Sequence, residues 1–304
     1  MSDNAARRPL AHVIAVTGWD YLHTVVLDLL KQSFDGYKNR FQGSSSSDLS
    51  LAPERMYVSA AILLTAVAIE DFRNIAYLFD DSEIHPNQVP EDLCKLLSKK
   101  MDKSPPEYLK ILLCELFEIR NTVAHSHLYH TKFGLNKESL MQIESWTLQP
   151  KHGSTRLREY KKKGEERTPE LRLNLRPSEL TFEDLFKSLV LTDTLLLLYD
   201  PVRIPILDSN LIPITVSHHQ HSGTLCSVLN CYYNQLTNRS FVSEVEQVSI
   251  KLRRNLAQFV QPSNRFEWFI TNQCPKCSNL GFQKNPKLQT CNRCGFSTSK
   301  ERQN

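Results

Sequence analysis

Residues 54–79, ERMYVSAAILLTAVAIEDFRNIAYLF, run without glycine or proline and carry apolar side chains at the i, i+3, i+4, i+7 spacing of a helix. A helix apolar around most of its circumference must be covered by other elements. The stretch therefore predicts a helical bundle with this segment, opening near Pro53, at its centre. The chain is long enough to supply the cover, with 304 residues of which 40% are apolar.

Further helical patterns stand on either side. Residues 10–34 predict a long first helix, followed by a GSSSSD loop at 43–48. Residues 90–101 predict a short helix, and residues 107–126, EYLKILLCELFEIRNTVAHS, another long one. The texture then changes, because LMQIESWTLQP (140–150) and ELRLNLRP (170–177) alternate as strands do. Thr181, with Asp184 three residues on, is a capping signature that opens a last bundle helix over 182–200. The expected fold class is mainly α, a helical bundle over 1–200 with a small β-like insertion. A connecting region of uncertain fold with one helix, 243–260, spans 201–270, and a separate module occupies 271–304.

The helix over 107–126 ends with chemistry where its apolar pattern stops. At about 100° per residue, Glu118 and Asn121 share a face with His125, with Glu115 and Thr122 beside them. Asn121 is thus placed to orient the His125 ring. Arg120 points roughly 140° away, toward the apolar side. There it snorkels, pairs with a carboxylate such as Glu70 or Asp71, or is held for use. A purely structural arginine with a frayed histidine is the plain alternative. Arg73-Asn74 and Arg254-Asn255 repeat the dipeptide, but neither has a histidine five residues after the arginine.

ELFEIRNTVAH resembles the signature of the HEPN superfamily, α-helical bundles whose core helix ends in Arg, four to six residues, then His, often with a polar residue after the arginine. The likeness covers residues 1–200 in its order of helices and is sharp over Arg120 to His125. It implies a metal-independent RNA endonuclease, active as a homodimer in which two motifs form one composite cleft. On that reading His125 does acid/base work, Arg120 holds the phosphate and stabilises the transition state, and Asn121 orients His125 or the substrate; Glu118 is a weaker supporting candidate, with a merely solvated helix glutamate as the alternative. Histidine titrates near neutrality and arginine presents a planar phosphate donor, so the residue types suit the chemistry. The family also contains inactive members, so a non-catalytic dimer that binds nucleic acid or protein is the alternative. Prokaryotic relatives act as toxins or in anti-phage defence, which implies a neutralising or regulatory protein partner.

The terminal module is read from its cysteines. Cys274, Cys277, Cys291 and Cys294 form two C-x2-C pairs with 13 residues between them, a tetrahedral set of thiolates that suits a structural zinc ion. The pattern, with CGF after the last pair, resembles rubredoxin-like zinc ribbons. Four protein ligands leave no open coordination position for catalysis. Lys276, Lys284, Lys287 and Arg293 allow the ribbon to touch RNA, DNA or a partner, and a bare folding module is the alternative.

The remaining features bound the reading. RLREYKKKGEER (156–167), with Tyr160, offers a basic guide for RNA or a merely solvated loop. The histidines of HSHLYH and SHHQHS raise a rival metal-dependent hydrolase with His125 and His127 as ligands. The net charge of +4 permits nucleic acid as a partner without requiring it. No signal-peptide pattern stands at the N-terminus, and 189–199 is too short and too polar to span a bilayer, so the expectation is a cytoplasmic protein with no membrane contact. Walker, dinucleotide, H-E-x-x-H and nucleophile-elbow sequences are missing.

Overall fold

The computed structural model describes residues 25–41, 52–79, 88–124, 129–135, 141–148, 159–160, 164–198, 214–216, 221–223, 225–259, 282–284, 288–291 and 297–299. The described part is mainly α. Helix α1 spans Leu27–Phe41, α2 Ala52–Phe79, α3 Val89–Met101, α4 Glu107–Ala124, α5 Phe182–Leu198, α6 Leu225–Tyr233 and α7 Arg239–Leu256. Most of the expected 10–34 helix lies outside the described residues, as does the GSSSSD loop, and α1 continues seven residues past Phe34 to Phe41. Among the described residues no helix is long and apolar enough to cross a membrane.

Helix α2 packs against α1, α3, α4 and α5, with Val58, Ala61, Ile62, Ile69 and Phe72 in the core. Its approach to α1 is close. A Cβ on Gly36 would stand 2.9 Å from Glu54 Cβ, so only glycine fits there without a shift. Helix α5 is enclosed still more completely, and its residues 184–195 are all buried. Its hydroxyls remain satisfied inside the core because Ser188, Thr192 and Thr194 each donate to the carbonyl four residues back, at 2.9–3.0 Å. Aromatic rings from α1, α5, α6 and α7 meet around Phe182, with Phe34 and Tyr37 each 5.1 Å away between centroids.

The α5 start follows the capping signature. The Asp184 carboxylate accepts the Thr181 backbone N–H at 2.9 Å, and the Asp184 N–H donates to the Thr181 carbonyl. Beyond α5 the same core runs on into α6 and α7 through Leu229, Tyr232, Phe241, Val245, Leu252 and Phe259. Residues 225–259 of the connecting region therefore share the hydrophobic core of the bundle, with α6 a second helix there and Asn238 the N-cap of α7.

The expected insertion is partly a hairpin. Strands β1 (Tyr129–Leu135) and β2 (Met141–Leu148) pair antiparallel, with a bulge between Lys132 and Phe133. The second alternating stretch, ELRLNLRP, is not a strand. Leu171, Leu173 and Leu175 are fully buried, so the period of two is real, yet only one isolated bridge, Arg167 to Asn174, forms. The Leu175 N–H donates to the Glu166 carbonyl and the Thr168 N–H to the Leu173 carbonyl, and side chains meet several of the other backbone groups. Glu115 accepts the N–H groups of Glu170 and Leu171, Thr168 that of Leu173 and Asp184 that of Asn174, while Lys187 donates to the Arg172 carbonyl. The segment is a strap laid over α4, α5 and α7.

Two small sheets complete the chain. Strands β3 (Ile214–Val216) and β4 (His221–Gly223) form one hairpin. Strands β5 (Phe282–Lys284), β6 (Leu288–Cys291) and β7 (Ser297–Ser299) form an antiparallel meander in that order.

Candidate functional site

Helix α4 builds the site from its apolar face upward. Leu109, Leu112, Leu113, Leu116 and Ile119 are fully buried and fix the helix in the bundle. The last turn then carries Arg120, Asn121 and Thr122, with the Thr122 hydroxyl donating to the Ile119 carbonyl at 2.8 Å. The described helix ends at Ala124. His125 and His127, and with them the expected placement of the His125 ring beside Asn121, lie outside the described residues.

Arg120 leans toward α2. Its Nη2 lies 3.5 Å from Glu70 Oε2, and its Nη1 donates to Asn121 Oδ1 at 3.1 Å. Of the two acids expected beside it, Glu70 is the one that meets the guanidinium. Asp71 next to it carries a carboxyl raised above the usual range, first by burial and then by the Glu70 charge. The Asn121 carbonyl oxygen is engaged with Arg120. Glu118 is half-buried two residues before Arg120.

The contrast with Arg73 decides what kind of arginine Arg120 is. Arg73 has a side chain 1% exposed and bonds Asp92, equally buried, at 2.9 Å. That is a structural pair. Arg120 is 31% exposed, its Glu70 partner is 29% exposed, and their separation is at the long end for an ion pair. A half-exposed pair of this kind contributes at most about 1 kcal/mol, so stability does not account for an arginine at this point. Glu70 also reaches Arg73 Nη2 at 3.8 Å, so Arg120, Glu70, Arg73 and Asp92 form one alternating line of charge from the surface into the core. The third Arg-Asn pair differs again. Arg254 and Asn255 are exposed on α7, and Asn255 donates to the Lys251 carbonyl at 2.8 Å.

Sequence reasoning set Glu115 and Thr122 beside the polar face of α4, but both are buried, and Glu115, five residues before Arg120, has a role it did not foresee. Its carboxylate is buried, accepts Leu171 N–H at 2.8 Å and Glu170 N–H at 3.0 Å, and anchors the strap. Burial pushes its carboxyl up, against the pull of those hydrogen bonds. The signal was present, since Leu112 and Ile119, three and four residues away on the same helical face, are both core residues.

Of the zinc ligands expected from the cysteine spacing, Cys291 closes β6 opposite Phe282 of β5. Cys274, Cys277 and Cys294 lie outside the described residues, and among the described residues no group of three metal-ligating side chains occurs. Strand β6 ends on Cys291, and in the sequence Cys294 falls between β6 and β7. The basic run 156–167 is described in part, and there Arg167 is engaged with Glu244 at 3.2 Å.

No family model matches the chain, and neither a curated protein nor a solved structure matches it.

Proposed function

We propose that this chain is a metal-independent RNA endonuclease of the HEPN type, working as a homodimer whose two Arg-Asn-x-x-x-His motifs form one cleft. The observation that carries the reading is the state of Arg120. It stands half-exposed at the end of a core helix, five residues before His125, steadied by Glu70 and Asn121 rather than sealed into the core as Arg73 is. Such a guanidinium is available to a phosphate at small cost, since the pair it would leave is weak.

In the proposed reaction the RNA 2′-hydroxyl attacks its own phosphorus. One His125 imidazole removes the 2′ proton, and the imidazolium of the other copy protonates the departing 5′-oxygen. Arg120 stabilises the charge on the phosphorane between them. The products are a 2′,3′-cyclic phosphate and a 5′-hydroxyl. Asn121 orients Arg120 through its carbonyl, and Glu118 is a supporting group. The ribbon over 271–304 is structural, with zinc held by Cys274, Cys277, Cys291 and Cys294. By analogy with prokaryotic HEPN proteins, the setting is a cytoplasmic toxin or anti-phage effector with a neutralising partner.

Cleavage of a mixed RNA pool in EDTA, wild type beside His125→Ala, tests this. Wild type alone should cut, leaving cyclic-phosphate ends. Equal cutting by the variant, or cutting that stops in EDTA, would sink the proposal. RNA binding without cleavage would favour the second reading, a binding dimer in which the Arg120–Glu70 pair is merely structural.

A further inference from the structure

Glu70 on α2 is shared by two arginines that differ in how firmly they are held. Its Oε1 lies 3.8 Å from Nη2 of Arg73, one turn on along the same helix, and its Oε2 lies 3.5 Å from Nη2 of Arg120 on α4. Arg73 is fixed, because its buried Nη1 donates to the equally buried Asp92 of α3 at 2.9 Å. Arg120 stands half-exposed at the other end of the line, with Nη1 donating to Asn121 Oδ1 at 3.1 Å. The carboxylate between them closes on neither, since a charge-assisted hydrogen bond brings the heavy atoms to about 2.7–2.9 Å.

A carboxylate shared in this way has two settings. An anion that reaches Arg120 also meets the like charge of Glu70, which must withdraw or repel it. A glutamate with no second cation would then be left half-buried without a counter-charge. Here Arg73 Nη2 already faces Glu70 Oε1, so a movement of about 1 Å turns the long contact into a charge-assisted hydrogen bond. The Asp92 bond keeps Arg73 in place to receive it. Arg120 thus exchanges one anion for another, and Glu70 keeps a cation before and after.

We infer that Glu70 holds the place of the RNA phosphate on Arg120 and passes to Arg73 when the phosphate binds. The choice of RNA rests on the ribonuclease reading above. Glu70 does not touch the reacting atoms. Its part is to keep the Arg120 guanidinium neutralised and aimed in the empty site, and to set how strongly an anion must bind to displace it. The exchange costs little at the surface end, where the pair is half-exposed and weak, and its fixed end is the buried pair of Arg73 with Asp92.

The test uses the full chain with His125→Ala, so that the RNA survives, and follows binding of a labelled single-stranded RNA at low salt by fluorescence anisotropy. Glu70→Gln keeps the shape and removes the charge, so it should tighten binding about two- to fivefold, the factor that a weak half-exposed pair represents. The gain should vanish when Arg120→Ala is added, because the two side chains act on the phosphate as one pair. A thermal melt of each variant checks folding. Unchanged or weaker binding by Glu70→Gln would overturn the exchange. So would a gain of equal size in the Arg120→Ala background, which would mark Glu70 as a charge that repels from a distance. In the cleaving protein Glu70→Gln should lower KM by the same factor. A fall in kcat at constant KM would instead make Glu70 a positioning residue that stays on Arg120, and the exchange would be wrong. The ribonuclease reading fails separately. If wild type does not cut RNA but the Arg120-dependent gain in binding persists, the exchange stands without the nuclease.

Discussion

Arg73 and Arg120 show how one residue type takes two roles on adjacent helices. Removing Arg73 leaves the buried Asp92 carboxylate without its 2.9 Å partner, and stranding a buried charge costs about 3–5 kcal/mol. Removing Arg120 releases a half-exposed Glu70, which costs less than about 1 kcal/mol. Urea unfolding should therefore rank Arg73→Ala far below wild type and Arg120→Ala beside it. RNA cleavage should rank them otherwise, with Arg120→Ala slowed about 10²–10³-fold while still folded. If Arg120→Ala unfolds as readily as Arg73→Ala, Arg120 is a structural arginine.

The strap at 164–176 behaves as an element although it is neither helix nor strand. Its backbone is held by side chains of α4 and α5, and its flanks are tied to α7 by Arg167 to Glu244 and by Lys251 to Glu170. Arg172 adopts a left-handed φ of 57°, and its carbonyl accepts from Lys187 at 2.7 Å. Burial lowers the Lys187 ammonium below its ordinary value, while the charges of Asp184 and Glu244 oppose that shift. Glu115, raised by burial, holds its proton more tightly in the folded protein than in the unfolded chain. Its contribution to stability is fully present below the unfolded value of 4.5 and is lost as pH rises through the folded value. The stability of wild type relative to Glu115→Gln should accordingly fall as pH is raised from about 4 to 7. A pH-independent difference in urea titrations would show that the carboxyl titrates as it does in the unfolded chain.

At the scale of the molecule, the proposed composite cleft would require two copies of the 35.1 kDa chain, and the proposed ribbon one zinc ion in each. Native mass spectrometry reads both quantities at once. The expected species is a dimer carrying two zinc ions, with Cys291→Ser lowering the metal content and leaving the dimer intact. A monomer that still cleaves RNA would remove the two-fold scheme, and a dimer free of zinc would remove the ribbon's metal.

The helices of this protein are written in its sequence because helix formation is local. The apolar spacing of 54–79, the short helix over 90–101 and the Thr181–Asp184 cap each depend on residues within a turn or two of one another. The alternating leucines at 171, 173 and 175 report burial as faithfully, but burial with a period of two does not specify what completes the backbone hydrogen bonds. Part of that depended on a carboxylate 55 or 56 residues away, at Glu115, and part on Asp184 of the next helix. Arg120 was legible as an anomaly on its helix, with snorkelling, a carboxylate such as Glu70 or Asp71, and a functional role all left open for it. That Arg73 is the sealed arginine and Arg120 the accessible one followed from which acids the neighbouring helices offer and how deeply they lie. The sequence by itself determined most of the described helices, α6 excepted, the grouping of Arg120, Asn121 and His125 in six residues, and the spacing of the two C-x2-C pairs. Only the tertiary structure decided that Arg73 and Arg120 share Glu70, because charges attract across space while sequence patterns act along the chain.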